Sequence, residues 1–263
     1  MKKTILGIAL IVILLSLLML MGCVRVNIAE KNGPITTRTY DNTGFTGVDV
    51  GSALNLEITQ ASTYSVAITA GEKVLDHVRV SQDGDRLKIN MEGFSVNWWF
   101  GRGIPKIKIT VPSIAEVYLS GASDGSVTGF KSDKDFTVKV SGASDLDIDM
   151  ETGYFTAAIS GASNLKGILK ATGSDIELSG ASDIELTGSG GDLKLHASGA
   201  SSLPLRYFKV NNAEVNFSGA SDGSLDVSGR LDVKLTGASD LRYTGNPTLG
   251  NVDKSDASTL KEI

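Results

Sequence analysis

Cys23 is the single cysteine of the 263-residue chain, and its position gives it a chemistry. It closes the segment Leu20-Met21-Gly22-Cys23. That segment follows a basic start, Lys2 and Lys3, and an almost wholly apolar run from Thr4 to Met21. A small residue before a cysteine at the end of a signal helix reads as a lipobox, with the cut before Cys23 and a diacylglycerol on its thiol. The other reading is a plain transmembrane anchor, since the run is about long enough to span a bilayer. The lone cysteine stands where a lipobox needs it, which favours lipidation, and two or more acyl chains give stable anchorage. A single cysteine also excludes a disulfide scaffold and a CxxC zinc site.

A second set of residues recurs along the chain. Asp124, Asp145, Asn164, Asp183, Ser202, Asp222 and Asp240 each follow a Ser-Gly-Ala-Ser tetrapeptide or its variant. Stacked about 5 Å apart, neighbouring carboxylates repel by roughly 0.8 kcal/mol in water, and Asn164 and Ser202 interrupt the run. Aspartate favours turns because its side chain bonds nearby N–H groups. Aligned carboxylates can also hold Ca²⁺, which makes Asp124, Asp145, Asp183, Asp222 and Asp240 a cation-ladder candidate. The Gly-Gly-x-Gly-x-Asp nonapeptide of Ca²⁺-binding β-rolls is missing, so the expectation is turn chemistry and no metal or cofactor.

Asn97-Trp98-Trp99-Phe100-Gly101-Arg102-Gly103 holds both tryptophans. Exposed, Trp98, Trp99 and Phe100 would form an apolar partner-binding patch for a glycan, a surface protein or a membrane interface. Buried, they would fold over the end of a core. Two segments, Gly121–Gly125 and Gly219–Gly223, match the nucleophile-elbow pattern G-x-S-x-G. An elbow needs a strand-to-helix turn and a histidine base. The histidines are His77 and His196, far apart in sequence, and His196 lies in a strand beside Leu195 and Ala197. Enzymes built on solenoids that act on acidic polysaccharides cluster Asp, Arg and Lys on one face. Here Asp147, Asp149, Glu177 and Glu185 alternate with apolar residues, as on the outer face of half-buried strands. Lys139, Lys166, Lys170, Lys194 and Arg206 are scattered. Paired carboxylates for glycoside hydrolysis are not singled out, so the chain reads as non-enzymatic.

The elements that must carry these residues follow from the repeat. Ser-Gly-Ala-Ser begins at Ser120, Ser141, Ser160, Ser179, Ser198 and Ser218. Thr236-Gly237-Ala238-Ser239 is a variant, and Ser255-Asp256-Ala257-Ser258 is a worn eighth copy. A period near 19 residues is a solenoid signature. Before each tetrapeptide apolar residues alternate, as in Val117 and Leu119 or Val138 and Val140. Alternation resumes after it, as in Leu146 and Ile148. Period two means strands with one face buried. Gly or Ser breaks every segment within about six residues, which excludes helical repeats. The expected fold is all-β: a parallel β-solenoid, a single-stranded β-helix expected to be right-handed, with coils of about 19 residues stacked about 4.8 Å apart. Glycine in the tetrapeptide would take positive φ at each corner, and small Ala and Ser would let corners approach. That accounts for much of a composition holding 30 Gly and only 6% aromatics.

Residues 40 to 116 lack the tetrapeptide but keep strand-like alternation at Val48–Val50, Leu54–Ile58, Tyr64–Ile68, Val78–Val80, Leu87–Met91 and Ile107–Val111. They read as degenerate coils or as a β-rich N-terminal cap shielding an open sheet edge. The division is then a signal peptide at 1–22, a lipidated cysteine and tether at 23–39, the cap at 40–116 and the repeats at 117–263. The formal charge of −5 argues against nucleic acid as a partner.

The lipobox, Phe45-Thr46-Gly47-Val48-Asp49-Val50, Leu54–Gln60, Asp83–Ile89, Val111-Pro112-Ser113-Ile114 and the tetrapeptide array together resemble the auto-transporter adhesin family that carries the head-GIN domain. The resemblance covers roughly residues 40 to 250. It implies a β-helical extracytoplasmic lipoprotein and brings no catalytic residues. The expected function is a non-enzymatic adhesin or scaffold rod on the outer membrane or cell surface, held in the bilayer by acylated Cys23. The alternatives are a polysaccharide-acting β-helix enzyme and a pure spacer with no ligand.

Overall fold

The computed structural model describes residues 32–93, 103–255 and 257–263. The repeat region builds eight coils, each with one strand before the corner and one after it. The first three are β8 (Glu116–Leu119) with β9 (Asp124–Lys131), β10 (Phe136–Val140) with β11 (Asp145–Glu151), and β12 (Tyr154–Ile159) with β13 (Asn164–Lys170). Next comes β14 (Gly173–Leu178), which turns into β15 (Asp183–Ala197). β15 and β16 (Ser202–Phe217) run unbroken through the polar return and so belong to two coils each. β17 (Asp222–Val227) completes the sixth coil. β18 (Arg230–Leu235) with β19 (Asp240–Thr244), and β20 (Thr248–Lys254) with β21 (Thr259–Glu262), form the last two. The worn eighth tetrapeptide thus lies between the two strands of one more full coil.

Stacking is parallel and in register. Val117, Val138, Ala157, Ile176, Leu195, Val215 and Val233 form one inward column, one residue per coil. The two sheets face each other across a core of Val, Ile, Leu and Phe. Burying each large apolar side chain contributes roughly 1.5–3 kcal/mol, so the alternation read from sequence is also what holds the coils shut.

The N-terminal region supplies both coils and a cap. β2 (Gly47–Val50) and β3 (Asn55–Gln60) stack parallel on β8 and β9. On their other side β2 and β3 pair with β6 (Arg86–Met91) and β7 (Lys106–Val111), also parallel. Two more coils result, and their order in space departs from the order in sequence. The coil of residues 47–60 lies between the coil of 86–111 and the coil that starts at 116. Antiparallel strands finish this end. β5 (Val78–Asp83) pairs with β6, β4 (Ser65–Gly71) with β7, and β1 (Ile35–Tyr40) with β4. A short helix, α1 (Glu72–Leu75), buries Val74 and Leu75 against the cap. β1 begins within the stretch read as tether.

Candidate functional site

The corner residues are consumed by the stack. Gly161, Gly180, Gly199, Gly219 and Gly237 all have φ near +80°, and a Cβ on Gly161 would lie 2.4 Å from the Gly142 carbonyl oxygen. The following alanine donates its N–H to that same carbonyl one coil below, as Ala162 does to Gly142 at 2.8 Å. The second serine is buried. The Ser123 hydroxyl donates to the Ser120 carbonyl at 2.8 Å and accepts the Leu54 N–H at 3.1 Å. Ser182, Ser201 and Ser221 repeat the donation to the residue three back. Ser123 and Ser221, the serines of the G-x-S-x-G matches, are therefore buried hydroxyls committed to carbonyls rather than exposed nucleophiles.

The aspartate ladder forms as the spacing implied. Asn55, Asp124, Asp145, Asn164, Asp183, Ser202, Asp222, Asp240 and Thr259 stand in register, one per coil. Its repulsions are answered locally. Asn164 Nδ2 donates to Asp145 Oδ1 at 2.5 Å, and Arg242 reaches down to Asp222 at 3.2 Å. In the next outward column Lys166 lies 3.9 Å from Asp147. A shallow groove runs over Asp124, Asp145, Asp147, Asn164, Lys166, Asp183 and Glu185. Among the described residues no three His, Cys, Asp or Glu side chains are placed to hold one metal ion.

The opposite sheet face is also a set of short ladders. His196 stands half-buried between Glu177 and Asn216 on the outer side, beside the small side chain of Ala158. His77 belongs to the cap, so the two histidines are not brought together. Asp147, Asp149 and Glu185 face outward from one sheet and Glu177 from the other; Asp147 and Glu185 share the groove, two coils apart with Lys166 between them. Arg230 grips Asp232 with two hydrogen bonds of 2.6 and 2.7 Å, and the Asn251 N–H adds a third at 2.7 Å. These partners, Arg230 first, hold the Asp232 carboxyl at about 2, below its ordinary 3.8. Lys170, then Lys131, lowers Glu151 in the same way. Near the cap, Arg86 passes over Gly47 to pair with Glu116, and the Tyr118 ring carries Arg86 at 4.5 Å and Lys139 at 4.7 Å.

Cys23, Trp98, Trp99 and Phe100 lie outside the described residues. β6 and β7 place the tryptophan segment between them in sequence, where the other coils have a tight corner.

One exposed feature escaped the sequence reading. Arg206 and Tyr207 both point outward between buried Leu205 and buried Phe208. The signal was present: the repeat from Ser198 to Ser218 spans 20 residues instead of 19, and the extra length is absorbed by a break in strand register.

Comparison with known proteins identifies the same architecture. A family profile described as "Putative auto-transporter adhesin, head GIN domain" matches residues 44–247. No curated protein matches the chain. Among solved structures, one named a putative lipid binding protein, from Parabacteroides distasonis, has a TM-score of 0.79 at 17% identity. It covers 88% of this chain and 98% of its own. A putative adhesin from Parabacteroides merdae gives 0.79 at 16% identity, over 88% and 97% of the two chains. A putative adhesin from Bacteroides fragilis gives 0.65 at 18%, over 88% and 98%. At these identities the likeness is one of fold.

Proposed function

The chain belongs to the auto-transporter adhesin family with the head GIN domain, and we propose that it works as a non-enzymatic binding rod anchored outside the cytoplasm. The observation that carries this reading is the way the repeat spends its reactive-looking groups. Corner glycines, alanines and serines are used up in holding coils together. Two long, flat, charged sheet faces remain as the chemistry offered to the outside. Such faces suit adhesion to an extended surface better than conversion of a bound substrate, which needs convergent groups in a cleft. The lipobox supplies the anchor. Cleavage before Cys23, acylation of its thiol and palmitate on the new N-terminus would leave the rod tethered to a membrane by its capped end.

Cys23→Ser tests the anchor. The full chain, expressed with labelled palmitate, should incorporate label and lose its leader, while Cys23→Ser should incorporate none and keep the leader. A full chain that sediments with membranes, takes up no palmitate and keeps its leader would show an uncleaved helix anchor instead. For the binding role, cells displaying the chain should be retained on surfaces coated with glycan or matrix protein more than cells lacking it. Equal retention on every coating, or release of sugar from envelope polysaccharide by the purified chain, would overturn it.

A further inference from the structure

Arg206 and Tyr207 break the most regular surface of the rod. Along β16 inward and outward residues alternate up to Leu205, and then two consecutive residues face out before Phe208 turns in. Register slips on both sides. Toward β15 the pairing passes from Asp183–Ser202 to Gly188–Phe208. Toward β17 it passes from Leu205–Leu225 to Lys209–Asp226. A β-bulge re-aims side chains that the pleat would otherwise alternate. Here it leaves Tyr207 71% exposed, with the Arg206 guanidinium carbon 6.0 Å from its ring centroid.

The arginine beside the ring is unanswered. Six arginines lie among the described residues. Arg38, Arg79, Arg86, Arg230 and Arg242 each pair with an Asp or Glu. Arg206 forms no ion pair among the described residues, and neither does Lys209 on the same bulge, although Asp226 stands beside Lys209 in register on β17. The neighbouring coil adds Ser189, in register with Lys209, and Thr187, in register with exposed Ile168.

We propose that this bulge is a binding site for an acidic glycan, with a sugar ring stacked on Tyr207 and its carboxylate or sulfate held by Arg206 and Lys209. The proposal rests on the binding-rod reading and names its ligand class. The choice of class comes from charge complementarity and from the surroundings. Arginine matches a planar carboxylate or sulfate with two parallel hydrogen bonds. The chain as a whole carries −5, so acidic polymers are repelled except where cations stand unpaired. A protein hot spot is a desolvated apolar centre ringed by polar groups, whereas Tyr207 is exposed and flanked by Arg206 and Lys209, with Thr187 and Ser189 on the neighbouring coil and exposed Ile168 one coil further away. The open sheet face also suits an extended polymer lying across several coils.

The test uses the full chain in detergent against immobilised hyaluronan and polygalacturonate oligosaccharides, each beside its carboxyl-reduced form, and chondroitin sulfate beside its desulfated form. The expected result is binding of at least one acidic glycan. The reduced or desulfated partner should bind at least tenfold more weakly, and added salt should weaken the complex. Tyr207→Ala and Arg206→Gln should each lose at least tenfold, while Arg206→Lys retains part of the affinity. Both side chains are exposed, so the variants should melt with the parent, and a matching melting curve separates lost binding from lost fold. If the parent binds acidic glycans but Tyr207→Ala and Arg206→Gln bind equally well, the bulge is not the site, although the binding-rod reading survives. If neutral and acidic forms bind alike, the assigned ligand class is wrong. If the chain binds no member of the panel but retains cells on protein-coated surfaces, the glycan proposal fails and the binding role stands.

Discussion

At the residue scale the corner glycine is the position with least freedom. Gly161 has φ +83°, a region that costs an alanine roughly 1–2 kcal/mol. Its added Cβ would also meet the Gly142 carbonyl at 2.4 Å, and that oxygen cannot retreat because it accepts the Ala162 N–H. Gly161→Ala should therefore destabilise the rod by about 2 kcal/mol or more, read as a lower melting temperature. Gly84, which also has a positive φ, +59°, but nothing within 4 Å of its Cβ, is the control for backbone strain alone. Equal losses at Gly161 and Gly84 would mean that the close approach of the corners contributes nothing. Asp232 makes a different kind of claim. Its folded carboxyl is held near 2, below the ordinary 3.8, so the unfolded chain binds this proton more readily. The stability it lends is present above about pH 4 and is lost as pH falls from about 4 to about 2. The parent should lose stability over that window more steeply than Asp232→Asn, and a carboxyl titration should place the midpoint near 2. A midpoint near 3.8, or parallel acid curves for the two proteins, would show that Arg230 and Asn251 do not hold the charged form in solution.

At the scale of elements the coil is the unit, and its length is the rule that a deletion can test. Removing Asp145–Ser163, 19 residues, joins Ser144 to Asn164. Every inward column then closes up by one step, and Asn164 comes to stand beside Asp124. That chain should keep its β-sheet circular dichroism and a cooperative melt at a somewhat lower temperature, because each coil is supported mainly by its neighbours. Removing ten residues, Asp145–Tyr154, leaves half a coil and should abolish the melt. If both deletions behave alike, the register is not what specifies the stack. The same unit explains what the sequence disclosed. Where Ser-Gly-Ala-Ser is spelled out, strands, corners and the aspartate ladder could be read by spacing alone. The corner between β2 and β3 was hidden because it is spelled Gly51-Ser52-Ala53. There Ser52 and Ala53 take the positive φ, and Ala53 donates to the Gly121 carbonyl. The placement of that coil between residues 86–111 and 116–131 was not legible either, since spacing records order along the chain and not order in space. Phenylalanine misled for a different reason. The low aromatic content gave no sign that the core would take rings, yet all six described phenylalanines are buried. Phe136 and Phe155 stack at 6.2 Å on successive coils, so a column can widen where like rings lie over one another.

At the scale of the whole molecule the two ends differ. Ten layers at about 4.8 Å make a rod about 43 Å long. At the N-terminal end β1, β4 and β5 cover the last coil, and Phe45, Val74 and Leu75 are fully buried there. At the other end β20 and β21 pair on one side only among the described residues. Leu249 is 45% and Val252 42% exposed, although the residues they stack on, Leu231 and Val233, are buried. Asp253, Lys254, Lys261 and Glu262 line these edge strands, a charge pattern that opposes the addition of another strand. A stack held by nearest-neighbour contacts opens first where a neighbour is missing. Amide hydrogen exchange should therefore be fastest in β20 and β21, slow down over the next two coils, and stay slow from the middle of the rod through β2 and β3. Deuterium uptake measured peptide by peptide reads this gradient directly. Slow exchange throughout β20 would contradict it, because those outward-facing amides can be protected only if something covers the end in solution. A gradient falling from the capped end instead would mean that the out-of-order coil of β2 and β3 is the weak joint, and that residues 65–111 detach before the tail does.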